Sequence, residues 1–213
     1  MCTSEIPDPA YNEALHIYLR KSQHLGLWPV TEKAMHLVGS PSHQIVVADI
    51  GCGSGRDALP LLASGAKVIC IDNSQVAVEL LKAGAQAIGK ESELTIVQEK
   101  MENLPTLPSV DLVVACVSLP YCHPANFMEL WAKMKQMLKP EGIFAGHFFG
   151  TRDSWHGCDF VTTHTEEELR SLFAEFEISD LEVTEEDKLL PDGSTAHRHT
   201  YHVVAQMRRR DDL

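Results

Sequence analysis

The feature that most constrains this chain is a turn. Ile45-Val46-Val47-Ala48-Asp49-Ile50 runs straight into Gly51-Cys52-Gly53-Ser54-Gly55, and a helical pattern opens just beyond. A near-continuous apolar run without polar alternation reads as a strand buried on both faces, the form strands take in a parallel sheet. Glycines at its exit let the chain turn tightly and let backbone N–H groups approach a ligand closely. The helix that follows adds unpaired N–H donors and positive potential at its N-terminus.

The rest of the chain repeats the alternation. A short helix is expected over about Asp57–Ser64, with Pro60 in its first turn and Gly65 past its end. Ala66–Ile71 reads as the second strand. Ser74 caps a helix whose apolar positions Ala77, Leu80, Leu81, Ala85 and Ile88 share one face, and Gly89 stops it. Leu94–Gln98 and Val110–Cys116 read as strands three and four, with a proline-bearing loop over Met101–Ser109 between them. Phe127, Leu130, Trp131, Met134 and Leu138 form an apolar helical stripe. Pro140-Glu141-Gly142 is expected to turn the chain into a fifth strand, Ile143–Phe149. Thr165 and Glu168 have the spacing of a capping box. Ile178–Glu185 and His199–Met207 read as the last two strands, joined through the turn signal Pro191-Asp192-Gly193. Strands alternating with helices imply an α/β fold with a mostly parallel seven-stranded sheet, helices on both faces and an antiparallel last strand. Two further helices, about Tyr11–Ser22 and Thr31–Val38, precede the first strand. They serve either as a cap packed on the domain or as a lid over a ligand.

Composition narrows the function classes. Of 213 residues, 18 are Lys or Arg and 30 Asp or Glu, for a net charge of −12. Phosphate neutralisation needs clustered cations, so a nucleic-acid partner is not expected. No apolar run approaches the roughly 18 residues of a membrane helix, so no membrane partner is expected either. Residues 1–10 are polar and proline-bearing, unlike a secretory signal. The six cysteines show no Cys-x-x-Cys and no metal or disulfide spacing, which reads as a reduced, cytoplasmic protein. On the last strand His197 and His199 share a face but His202 takes the other, and no metal is expected.

Two cofactor classes compete for the glycine turn. A dinucleotide cradle has the spacing G-x-G-x-x-G. Here the spacing is G-x-G-x-G, Arg56 stands at the third glycine position, and Asp49 precedes the motif by two residues. A carboxylate adds nothing to a pyrophosphate cradle, whereas an ammonium and a sulfonium favour one. Asp72, at the end of the second strand, is placed to accept hydrogen bonds from a ribose. The pattern resembles motif I of the class I S-adenosylmethionine-dependent methyltransferases. The resemblance runs from about Ile45 to Gln206. It rests on Asp49–Gly55, Asp72, the strand Asp111-Leu112-Val113-Val114 and the step Leu138-Lys139-Pro140-Glu141-Gly142. It implies a single methyltransferase domain over 1–213, with 1–40 a helical cap and 45–207 a Rossmann-like core.

The resemblance also assigns roles. Asp49 and the backbone of Gly51, Cys52 and Gly53 would hold the methionine part of S-adenosyl-L-methionine, with Arg56 on its carboxylate. Asp72 would take the ribose hydroxyls and Asn73 would flank the adenine. Lys100 stands where such proteins often carry an Asp, so the adenine would be met by Met101 and Glu102 instead. Cys116 and Ser118 would lie beside the methionine moiety.

Methyl transfer from a sulfonium is an in-line displacement in which alignment supplies much of the acceleration. The acceptor side is expected after strands four and five, at the C-terminal edge of the sheet. There Tyr121 and Trp155 would wall a small pocket, His147 or His123 would serve as base, and Arg152 would hold an anionic acceptor. Chain proportions and the Gly53-x-Gly55-Arg56 opening look most like the tellurite-resistance and thiopurine-type branch, which implies a small-molecule acceptor and a monomer or homodimer. The alternatives are an NAD-dependent oxidoreductase and a non-catalytic S-adenosylmethionine-binding module.

Overall fold

Each buried apolar run becomes a strand in the computed structural model, which describes residues 9–189 and 195–209. Two helices come first, α1 (Pro9–Ser22) and α2 (Pro29–Val38), the latter opened by a proline at its first turn and closed by Gly39 at φ 68°. The alternating part follows as β1 (Val46–Ile50), α3 (Ala58–Ala63), β2 (Lys67–Ile71), α4 (Gln75–Ala87), β3 (Leu94–Val97), β4 (Val110–Ala115), α5 (Pro124–Met137) and β5 (Leu138–Gly150). The chain then forms β6 (Thr163–His164), α6 (Glu166–Leu172), β7 (Phe176–Leu189) and β8 (Thr195–Met207). The turn signal at Pro191–Gly193 lies outside the described residues.

The strands form one sheet in the order β3-β2-β1-β4-β5-β8-β7, with β6 on the end of β5. Pairing is parallel except that β8 runs antiparallel to both β5 and β7. This is the expected α/β architecture with a reversed last strand. Strand order reverses between β1 and β4, which opens a crevice at their C-terminal ends.

Local chemistry explains the element ends. The Ser74 hydroxyl accepts the Ala77 N–H at 3.3 Å, and Gly89 takes a φ of 64° beyond the C-terminus of α4. Thr165 and Glu168 close a reciprocal capping box on α6. The fifth strand departs from expectation. Pro140-Glu141-Gly142 does not turn the chain into β5 but lies within it, as a bulge that shifts the β4–β5 register between Val110 and Leu112. β5 advances five residues there against two on β4, and Glu141 takes a φ of 62° within the bulge. The two-residue β6 carries too little periodicity for the sequence to reveal.

Two cores flank the sheet. On one face α5 and α6 pack over Ile50, Val113, Phe144 and Phe148, with Trp131 edge-on to Phe144, Phe148 and Phe173. On the other, α2, α3 and α4 cover Val47, Val68, Leu112, Val114 and Ala145. Asp49 and Cys70, directly paired across β1 and β2, face this second side.

Candidate active site at the glycine turn

β1 and β4 end on either side of the strand-order reversal, so their exits meet. Gly51 leaves β1 at φ 71°, and its N–H and that of Cys52 both donate to the Ile71 carbonyl, at 2.7 and 3.1 Å. β4 leaves through Cys116, Val117 and Ser118. The Ser118 hydroxyl donates to the Ile50 carbonyl at 2.5 Å. A Cβ on Gly51 would stand 2.4 Å from that of Ser118 and 3.7 Å from the Met101 methyl. Only glycine fits where these two strand exits cross.

Three carboxylates converge on the turn. Asp49 is buried and its Oδ2 has no partner. Burial drives its pKa well above the usual carboxylate range, and the nearby Asp57 and Asp72 push it the same way. Asp57, also buried, stands just before α3. Its pKa is raised by burial, against the pull of the Trp28 N–H, the Thr31 hydroxyl, the Cys116 thiol and Arg56. Asp72, half-buried, accepts the Gly53 and Ser74 N–H groups at 2.8 Å each, and burial still raises its pKa. A carboxylate has about four lone-pair sites, so Asp72 keeps capacity for further donors. The cluster calls for positive charge or for more donors.

The thiols sit around it in different ways. Cys52 is buried, hydrogen-bonded to Cys70, and held well above the usual thiol pKa by that bond and by burial. Its side chain is therefore part of the core while its backbone is part of the turn. Cys116 is half-buried, 3.5 Å from the Thr31 hydroxyl, and burial beside Asp57 likewise raises its pKa well above the ordinary thiol value. Cys52, Cys70, Cys116 and Cys122 are free among the described residues.

The N-terminal helices are fastened to the turn. Ser54 Oγ donates to the Leu19 carbonyl at 2.6 Å, and Gln23 Nε2 bridges the Ser54 and Leu80 carbonyls at 3.0 and 2.9 Å. Arg56 bonds the Gly26 carbonyl at 3.0 Å and lies 3.6 Å over the Trp28 ring. Trp28 in turn donates its N–H to Asp57 at 2.9 Å. The Tyr18 hydroxyl completes the arrangement with a bond to Arg56.

The other expected residues spread around this centre. Asn73 is exposed past β2. Met101 reaches towards Gly51, and Glu102 accepts the His123 N–H at 3.3 Å. Tyr121 contacts Phe149 and Trp155 edge-on, at 6.0 Å each. Arg152 is exposed, its guanidinium paired with Glu185 and 3.1 Å from His199. His147 is buried behind Trp28, their rings 5.1 Å apart. Its Nδ1 accepts the Val117 N–H at 3.1 Å, and burial pushes its pKa down to about 3. A base whose lone pair is already bonded and whose ring is shielded has no free site for a proton, so this geometry speaks for anchoring.

Sequence reasoning missed Asp57, Trp28, Thr31 and Tyr18. The signal for Asp57 was present, an acid opening the helix after the glycines, but it read as an ordinary helix start. The cap residues carry no motif, because their contacts cross long stretches of chain.

Residues 47–142 match the family model of a methyltransferase domain. The carboxy-S-adenosyl-L-methionine synthase of Yersinia pestis is 27% identical over 167 residues, 76% of this chain and 61% of that protein. The chain thus spans about three fifths of the length of the curated relatives it matches. TehB from Haemophilus influenzae has a similar structure, with a TM-score of 0.76 at 16% identity over 92% of this chain and 67% of TehB. So has the 1,6-didemethyltoxoflavin-N1-methyltransferase of Burkholderia thailandensis, with a TM-score of 0.65 at 20% identity over 96% of this chain and 92% of that one. These structures share the fold of this chain, a Rossmann-like α/β sheet with a reversed last strand, and the family match covers its glycine turn and first four strands.

Proposed function

We propose that the protein is an S-adenosyl-L-methionine-dependent methyltransferase with a small-molecule acceptor. The observation that carries this reading is the convergence of Asp49, Asp57 and Asp72 on a glycine turn, with one buried Asp49 oxygen unpartnered. An acidic cluster disfavours a pyrophosphate, whereas an ammonium or a sulfonium beside it favours the ionised form of the buried Asp49, which argues against the dinucleotide alternative. The residues present fit the cofactor: Gly51 lets the exits of β1 and β4 close on each other beside the turn, and Asp49 offers a buried oxygen that lacks a partner.

In this reading Asp49 and the backbone of Gly51, Cys52 and Gly53 hold the methionine end. Asp72 binds the ribose, Asn73, Met101 and Glu102 border the adenine, and Cys116 borders the sulfur end. The cofactor supplies an activated methyl group. The chain's residues orient it and keep water away. Arg56, engaged by Gly26, Trp28 and Tyr18, fastens the cap. Tyr121 borders the acceptor side, while Arg152 is held away by Glu185. The similar Burkholderia enzyme holds 1,6-didemethyltoxoflavin, a small molecule, which supports an acceptor of that size class. No described helix is long and apolar enough to cross a membrane. A single domain over 1–213, working in the cytoplasm as monomer or homodimer, completes the proposal.

Asp72→Ala and Asp49→Asn test it by calorimetric titration with S-adenosylhomocysteine. Hydrogen bonds to a charged group are worth about 1.5–3 kcal/mol each, so Asp72→Ala is expected to weaken binding at least about tenfold. Affinity unchanged in both variants would refute the assignment. Transfer of labelled methyl groups from S-adenosylmethionine to a panel of small thiols, amines and heterocycles then identifies the acceptor class.

A further inference from the structure

Val117 is a β-branched residue at φ 54°, a conformation that such side chains avoid. It lies just past β4, where a left-handed residue turns the chain so that Ser118 meets Gly51 and bonds the Ile50 carbonyl at 2.5 Å. Its N–H is directed away from the β4–β5 ladder and has one acceptor, His147 Nδ1 at 3.1 Å. A backbone N–H only donates, so Nδ1 is bare and the imidazole proton sits on Nε2. Nε2 is buried without a partner. The ring is clamped between Trp28, just before α2, at 5.1 Å and His202 of β8 at 4.7 Å, and His202 is itself fixed by Thr184 at 2.8 Å.

We propose that His147 is a positioning residue for the methyl-transfer site: it fixes the strained Cys116-Val117-Ser118 turn, and through that turn one wall of the glycine cradle. The inference rests on the methyltransferase reading and deepens it. A single neutral imidazole thus links the cap, through Trp28, to the exit of β4. Cys116, which opens the turn, lies against Thr31 of the cap and Asp57 just before α3, so releasing Val117 moves the side of the cradle that borders the sulfur end.

The test uses His147→Leu, His147→Asn, Val117→Gly and the Val117→Gly/His147→Leu pair, probed with S-adenosylhomocysteine by calorimetry. Leucine accepts no hydrogen bond and orphans a buried N–H. Asparagine presents an amide oxygen at about the place of Nδ1. Glycine at 117 adopts the left-handed turn unaided. His147→Leu is expected to weaken binding about tenfold, and His147→Asn to stay within about threefold of wild type. In the Val117→Gly background the leucine change should cost less than about threefold. Wild-type affinity in His147→Leu, equal losses in the leucine and asparagine variants, or an undiminished loss in the Val117→Gly background would each overturn the proposal. If His147→Leu does not fold, the comparison of His147→Asn with the double variant decides. Absence of binding by the wild type would instead sink the methyltransferase reading. Urea denaturation then still reads the 147–117 coupling, where equal destabilisation by His147→Leu in both backgrounds would refute the anchoring itself.

Discussion

Gly51→Ala concentrates the steric argument into one methyl group. The alanine must hold φ at 71°, which costs an L-residue about 1–2 kcal/mol. Its Cβ would also stand 2.4 Å from the Ser118 Cβ and 3.2 Å from the Ser118 hydroxyl oxygen. Ser118 has no easy retreat, because it is buried and its hydroxyl is bonded to the Ile50 carbonyl. Overpacking of this kind costs typically about 1–3 kcal/mol. Together the two effects amount to an expected loss of about 2–5 kcal/mol. Gly65→Ala is the control: φ is 96°, but nothing lies within 4 Å of the added Cβ. It should lose only the backbone share. Urea denaturation of both variants measures the difference, and thermal unfolding offers a check. At about 2–4 °C per kcal/mol for a chain of this size, Gly51→Ala should lower Tm by at least about 4 °C. Ser118→Gly added to Gly51→Ala should recover the steric share but leave the backbone share. Equal stability of Gly51→Ala and Gly65→Ala would refute the crossing of the two strand exits.

Other consequences are as direct. His164 is buried between Phe127 and Phe148, and desolvation pushes its pKa down to about 4 from an unfolded value of 6.5. Protonation therefore favours the unfolded chain, so this contribution is complete above pH 6.5 and is lost as pH falls towards 4. His164→Leu should gain on the wild type by about 1.4 kcal/mol per pH unit between about pH 6 and 4.5, and parallel stability curves would contradict the buried neutral ring. Thr165→Ala should cost about 1 kcal/mol in denaturation, with Glu168→Ala adding little to it because the capping box is reciprocal. Arg152→Ala, which breaks only the exposed pairing with Glu185 and His199, should leave S-adenosylhomocysteine affinity unaltered; a weakened titration would place Arg152 in the site after all.

Much of this structure was legible because it is local. The apolar run Ile45–Ile50, the Ser74 cap, the Gly89 stop and the Thr165–Glu168 box each signal through neighbours a few residues away, and each reappears as an element or an end. The step at Pro140-Glu141-Gly142 misled because proline and glycine read as a turn, whereas here a bulge against β4 absorbs them within one strand. The site was legible in the same measure. Asp49, the glycines and Asp72 lie within one βαβ unit. Asp57 needs the fold of the turn to bring it towards Asp49. Trp28 meets Asp57 from 29 positions away, and Val117 meets His147 across 30. Side-chain burial separates the two roles of Cys52, and no spacing in the sequence carries that distinction.

The central claim is that the acidic glycine turn holds a sulfonium cofactor in place of a dinucleotide. Parallel calorimetric titrations of the wild-type chain with S-adenosylmethionine, S-adenosylhomocysteine and NADH test it most directly. Saturable binding of the first two, with no heat of binding from NADH, is the expected result. Saturable NADH binding, or silence towards both adenosyl compounds by folded protein, would contradict it.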